Sequence, residues 1–128
     1  MEVEEGLFDV YVDDRHIAQV LVILLQNALD AAGSPSRVRM RLGVARAPHP
    51  GARSPEEDPS VRFEVINEGP GISPDVLGRV FDPFFTTKPT GTGLGLSIAQ
   101  QLVHENCGRL GVDSPPSGPT SFWFDVPT

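Results

Sequence analysis

Three glycines at alternate positions, Gly91, Gly93 and Gly95, with Thr92 and Leu94 between them, run directly into an apolar helical pattern at Leu96, Ile98, Ala99, Leu102 and Val103. A glycine has no Cβ, so it holds backbone conformations with φ > 0 and lets the chain come close to a ligand. The first N–H groups of a helix have no partner within the helix and point outward. A glycine turn that opens a helix therefore favours phosphate. A glycine run is also compatible with a plain flexible loop, so the surrounding residues decide between the two.

The chain has 128 residues, the size of one domain with a single core, and residues 1–128 are read as one unit. It carries 17 acidic against 10 basic residues, a net charge of −7. No basic stripe with interleaved aromatics occurs, which argues against nucleic acid as a partner. A bound polyphosphate would instead be held by local groups: backbone N–H groups, a divalent cation and a few cationic side chains. No apolar run approaches the roughly 20 residues of a membrane span, and the first residues lack the basic start and apolar core of a signal peptide. The expectation is a cytoplasmic domain without direct membrane contact. The single cysteine, Cys107, allows no internal disulfide and reads as a small buried residue.

Taken in order, residues 7–12 alternate as a short strand, and Asp13 or Asp14 offers a helix N-cap. Ile17, Val20, Leu21, Leu24, Ala28 and Ala31 then fall at helical spacing until Gly33-Ser34-Pro35 ends the run. Asn27 lies about 20° from Val20 around that helix, so an amide is set among inward-facing side chains. Such an amide either satisfies itself on nearby backbone or faces a polar cavity, where its oxygen can ligate a hard cation such as Mg²⁺. Ile23 and Asp30 share its flank. Residues 36–46 read as a strand with one wet face. Residues 47–60 hold four prolines and form a solvated hairpin loop. Residues 61–66 form the most apolar strand and deliver Asn67-Glu68-Gly69-Pro70-Gly71-Ile72 at its end, as a turn beside a cleft or as an ordinary turn. A short helix follows with Ser73 as N-cap and Pro74 in its first turn. Residues 108–112 and 121–126 read as two closing strands. The order β-α-β-β-α-α-β-β predicts helices covering one face of a mixed sheet.

These residues resemble the catalytic and ATP-binding domain of bacterial sensor histidine kinases. That domain belongs to an ATPase superfamily shared with type II topoisomerases, mismatch-repair MutL proteins and heat-shock chaperones. The resemblance spans about residues 7–127 and rests on four segments in the family's order: QVLVILLQNALDA (asparagine box), NEGPGI (first glycine box), FDPFFTTK (phenylalanine box) and GTGLGLSIAQQLV (second glycine box). Only Pro89 and Thr90 separate the last two, which is similar to the short lids of nitrogen-regulation-type kinases. The implied fold is a Bergerat-type two-layer α/β (α+β) sandwich. Its mixed, mostly antiparallel sheet of about five strands would be covered on one face by about three helices.

The resemblance implies ATP or ADP with Mg²⁺ as cofactors. Asn27 would ligate the metal, and Asn27 and Lys88 would serve phosphoryl transfer. Asn67, Gly69, Gly71, Ile72 and Thr120 would receive the base. Gly91, Thr92, Gly93, Leu94, Gly95 and Leu96 would approach the phosphates, with Asp30 and Lys88 nearby. Phe81, Phe84 and Phe85 would anchor the lid on the core. The reaction would transfer the γ-phosphoryl of ATP to a histidine on a separate dimerisation and phosphotransfer domain, and from there to the receiver domain of a response regulator. His16, His49 and His104 stand in no phosphoacceptor context, so the chain reads as one part of such a system. Several positions depart from the family. Ile23 replaces a frequent second asparagine and Asn67 replaces aspartate. Asn106-Cys107-Gly108 stands for His-Gly-Gly, and Pro119 replaces a glycine. The first two departures keep an alternative open, a catalytically impaired nucleotide-binding regulatory module with relaxed base selectivity.

Overall fold

A computed structural model describes residues 2–3, 8–9, 12–45, 60–87 and 93–127. Two short strands, β1 (Glu2–Val3) and β2 (Phe8–Asp9), pair with each other. Helix α1 (Asp14–Ala32) follows, then a 3₁₀ turn (Pro35–Arg37) and the hairpin strands β3 (Val38–Ala45) and β4 (Ser60–Asn67). After these come α2 (Pro74–Leu77), α3 (Gly95–Glu105), β5 (Arg109–Asp113) and β6 (Thr120–Pro127). The main sheet has the order β3-β4-β6-β5, and each of its pairs is antiparallel. The strand count differs from the expected five because β2 pairs only with β1 among the described residues. The loop predicted over residues 47–60 lies almost wholly outside the described residues, with only Ser60, the first residue of β4, inside them.

The alternation of β4 and β6 divides the sheet into two chemically different faces. Val61, Phe63 and Val65 of β4 and Phe122, Phe124 and Val126 of β6 turn inward onto Ile17, Val20, Leu24 and Ala28 of α1 and Ala99 and Val103 of α3. Phe63 and Phe124 are register partners, and their rings stack at 4.8 Å. Each fully buried aliphatic side chain of this kind contributes on the order of 2 kcal/mol through the water it sheds. The opposite face is polar. Asp125, fully buried, takes two hydrogen bonds from Arg62 (2.6 and 2.8 Å) and a longer one from Arg109 (3.4 Å). Arg62 lies over the Trp123 ring at 4.1 Å. That ring covers Gly111, its register partner on β5, where a Cβ would come within 2.3 Å of the indole.

Caps and joints follow the sequence closely. Asp13 is the N-cap of α1 and accepts from the N–H groups of Arg15 and His16. Gly33, at φ 74°, ends the helix in the left-handed region that glycine enters without strain. Asn106, which stands for the family's histidine, has a structural task. Its Oδ1 accepts the N–H of Asp13 at 2.8 Å, and its Nδ2 reaches Leu102 O at 2.7 Å and His16 Nδ1 at 3.0 Å. One side chain thereby joins the start of α1 to the end of α3. Cys107, expected to be buried, is exposed with φ 61°, because the chain reverses there between α3 and β5. Ala31 is also exposed, near the C-terminal end of α1, so the inward stripe closes at Ala28.

Candidate functional site

The end of β4 carries the first group of polar residues. Asn67 is the last residue of β4 and Thr120 the first of β6, and the ladder makes them register partners. Both are 3% exposed, in a sheet whose inner face is otherwise apolar. Burying a polar side chain is unfavourable unless it finds partners, so two of them side by side at a strand end mark a place built for hydrogen bonding. Asn67 Nδ2 makes a long contact of 3.4 Å to Glu68 O, which leaves its carbonyl oxygen for another donor. Thr120 Oγ1 lies 2.7 Å from Ser114 Oγ, and Ser114 Oγ accepts the Ile72 N–H at 2.7 Å.

Of the two glycines in this turn, Gly71 is there for space and Gly69 for its backbone angle. A Cβ on Gly71 would fall 1.9 Å from Pro115 O, so only glycine lets residues 69–72 lie against the loop between β5 and β6. The Gly71 N–H donates to Pro116 O at 3.3 Å. Gly69 sits at φ 135°, outside the range of most L-residues. Thr120, far along the chain from the Asn67–Ile72 segment, is thus brought beside it. Ser114 was missed. The available signal was a hydroxyl two residues after a predicted strand and directly before Pro115-Pro116, a pattern too common in turns to single out.

The second group lies where α3 begins. Gly93, at φ 74°, accepts the Phe84 N–H at 2.8 Å through its carbonyl, and Phe84 itself stands at φ 68°. A Cβ on Gly93 would meet the Phe84 carbonyl carbon at 2.3 Å. Phe84 and Gly93 therefore close the base of the loop that separates them. Leu94 is the N-cap of α3, and its carbonyl accepts from Ser97 Oγ and the Ile98 N–H. Gly95 faces α1, since a Cβ there would lie 3.5 Å from Ile23 Cγ2. Leu96 packs against the core. Asn27 stands one turn beyond Ile23 and is half-buried at the margin of the buried stripe. Asp30, near the end of α1, is exposed.

The aromatic segment divides by role. Phe81 packs edge-on against Phe122 at 6.3 Å, and Phe85 lies beneath the Arg79 guanidinium at 4.7 Å. Phe84, expected to anchor the lid, is 75% exposed, because its left-handed backbone turns the ring away from the core. Lys88, Gly91 and Thr92 lie outside the described residues.

An open groove of about 1080 Å³ runs elsewhere, between α3, the start of β5 and Trp123. It touches Phe81 and Leu94 but not Asn27, Asn67 or Thr120. Convergent buried polar groups locate a ligand that must be recognised by hydrogen bonds better than volume does, so the strand-end cluster is the stronger candidate.

A family model described as histidine kinase-, DNA gyrase B-, and HSP90-like ATPase matches residues 12–128. Sensor protein FixL of Bradyrhizobium diazoefficiens is 36% identical over 120 residues, which is 93% of this chain and 22% of the relative. The sensory histidine kinase/phosphatase NtrB of Rhodobacter capsulatus is 35% identical over 121 residues, 90% of this chain and 32% of the relative. The chain thus spans only a minor part of the length of these relatives. Among solved structures, the nucleotide-free catalytic domain of histidine kinase ThkA superposes with a TM-score of 0.68 at 31% identity, over 92% of this chain and 70% of that one. Full-length ShkA in complex with AMPPNP superposes with a TM-score of 0.68 at 29% identity, over 91% of this chain and 22% of that one. The same antiparallel sheet and helix layer, the match over nearly the whole chain and the kinase relatives place this protein in the histidine kinase-, DNA gyrase B-, and HSP90-like ATPase family, as an ATP-binding catalytic domain of the sensor histidine kinase branch.

Proposed function

We propose that this domain binds Mg-ATP and presents its γ-phosphoryl group to a histidine on a separate dimerisation and phosphotransfer domain, from which it passes to a response regulator receiver domain. The observation that carries this reading is the buried Asn67–Thr120 pair at the sheet end, an arrangement suited to receiving a base through hydrogen bonds. The second glycine segment supports it. Gly93 and Gly95 bring backbone to the start of α3, and the first N–H groups of a helix suit phosphate oxygens.

Asn27 is the residue that would hold Mg²⁺, with a neutral amide oxygen of the hard type this ion takes. When bound, the ion would neutralise phosphate charge as the phosphoryl group leaves. The chain's own residues position and orient: Asn67 and Thr120 the base, the amides around Gly93 and Gly95 the phosphates, and Phe81 the start of the lid on the core. Lys88 would add a cation beside the phosphates. The NtrB relative, at 35% identity, supports the short-lid subtype.

One observation favours the impaired, regulatory alternative. Ile23 places a methyl group against Gly95, at the point where a polar side chain would serve the phosphate end. The test is calorimetric titration with ATP and GTP, with and without Mg²⁺, followed by addition of the cognate helical hairpin. Mg²⁺-dependent ATP binding and acid-labile phosphohistidine on the hairpin are expected. Binding without transfer selects the regulatory module. Labelled phosphate on this chain alone contradicts the need for a separate acceptor.

A further inference from the structure

The hydroxyl groups beside Asn67 form a chain with a direction. The Ile72 N–H can only donate, and it donates to Ser114 Oγ at 2.7 Å. Ser114 has one proton of its own, and the acceptor it meets among the described residues is Thr120 Oγ1, at 2.7 Å. Bonds in such a chain align so that each oxygen accepts from one side and gives to the other. The Ser114 oxygen has lone pairs for two donors, but the head-to-tail order, in which Ser114 gives its proton to Thr120, is the one in which each bond strengthens the next. With its oxygen engaged, Thr120 offers its own hydrogen, and it does so from a position 97% removed from solvent beside Asn67. Asn67, whose NH₂ is turned towards Glu68 O, presents its carbonyl oxygen. The sheet end thus shows an acceptor on Asn67 next to a donor on Thr120.

Adenine has the complementary edge, an amino donor next to the N1 acceptor. Guanine has the reverse order, the O6 acceptor next to the N1–H donor. Asn67 alone does not discriminate, since an amide turned over serves either edge. We propose that Ser114 is a positioning residue for base selectivity: by holding the Thr120 hydroxyl as a donor, it makes this site prefer adenine over guanine nucleotides. The inference rests on the nucleotide-binding reading above.

The experiment is isothermal titration of the intact chain with Mg-ATP and Mg-GTP for wild type, Ser114→Ala, Ser114→Thr and Thr120→Val, with the nucleotide-free melting midpoint of each. Wild type is expected to favour ATP. Ser114→Ala frees the Thr120 hydroxyl to turn either way, so the ATP-over-GTP ratio should fall about fivefold, the worth of one neutral hydrogen bond. Ser114→Thr keeps the hydroxyl and should restore the ratio. Thr120→Val should lower the ratio as Ser114→Ala does, and adding Ser114→Ala to it should change nothing more. Equal losses for ATP and GTP in Ser114→Ala, with the ratio intact, would overturn the proposal and leave Ser114 as a tie between loops. Should Ser114→Ala unfold, Thr120→Val decides by the same ratio, and an unchanged value overturns the proposal. A wild type that binds neither nucleotide overturns the nucleotide reading itself, and this inference with it.

Discussion

Replacing Arg62 by methionine isolates the most buried ionic interaction among the described residues. The Asp125 side chain has no exposure and depends on the two short bonds from Arg62, whose own side chain is 32% exposed. The pair also holds the Arg62 guanidinium pKa above its ordinary value, chiefly through the hydrogen bonds to Asp125. Removing one partner of a buried pair typically costs about 3–5 kcal/mol, because the remaining charge keeps its desolvation penalty and loses its compensation. Arg109, at 3.4 Å, retains part of that compensation, which puts the expectation near the lower end, about 3 kcal/mol. In a domain of this size that is roughly a 10 °C fall in melting midpoint. The partner change carries the diagnosis. Arg62→Met combined with Asp125→Leu removes both the charge and its need, and Arg109, 40% exposed, can turn to water. The double variant should return to within about 1 kcal/mol of wild type, as apolar replacements of buried ion pairs commonly do. Urea unfolding followed by circular dichroism supplies the four corners of the cycle. A cost below about 1 kcal/mol for Arg62→Met alone would refute the reasoning, since that is the behaviour of a solvent-screened surface pair. So would additive losses in the double variant.

Three further outcomes are expected. Asn27→Ala should remove most of the Mg²⁺-dependent gain in nucleotide affinity while moving the nucleotide-free melting midpoint by only a few degrees, because Asn27 lies at the margin of the buried stripe. A sharp fall in midpoint with unchanged Mg-ATP affinity would make it a core amide instead. Gly93→Ala forces φ 74° on a residue with a Cβ aimed at the Phe84 backbone, so about 1–2 kcal/mol of strain or a reopened loop base should follow, read as faster proteolysis in the loop and weaker ATP binding in a titration. Asp13 is held below its ordinary pKa of 3.8, first by the Arg15 N–H and then by the His16 N–H. Its contribution is therefore present above about pH 4 and is lost as pH falls through the lowered folded value. Asp13→Asn, which keeps the capping oxygen without the charge, should flatten that part of the acid unfolding curve.

Much of the element order was legible because it depends on local rules. The stripe Ile17, Val20, Leu24 and Ala28 has one period and needs one buried face. Asp13 and Gly33 bracket that helix because a carboxylate suits its first N–H groups and a glycine suits the left-handed turn at its end. Gly71 reads from the sequence as a turn glycine and Gly93 as one that lets the backbone approach a ligand, while the crowding that requires them, against Pro115 and against Phe84, comes from segments that only the fold brings near. Family membership was legible for a related reason: four short segments in fixed order each carry a local geometry.

What the chain alone did not determine depends on which strands meet. Among the described residues, the strand read over residues 7–12 is Phe8–Asp9, paired with β1 and not with the main sheet, because pairing is decided between distant segments and alternation says nothing of the neighbour. The resemblance groups Phe84 with Phe81 and Phe85, yet a positive φ sends its ring outward, and a backbone angle is not written in residue type. Arg62, Arg109, Trp123 and Asp125 looked like ordinary strand residues until the register of β4, β5 and β6 placed them on one face. The same register set Thr120 beside Asn67 and brought Ser114, from a loop 42 positions away from Ile72, within 2.7 Å of its N–H. Hydrogen bonds between distant segments exist only once the ladder has chosen its register, and that choice belongs to the packed sheet.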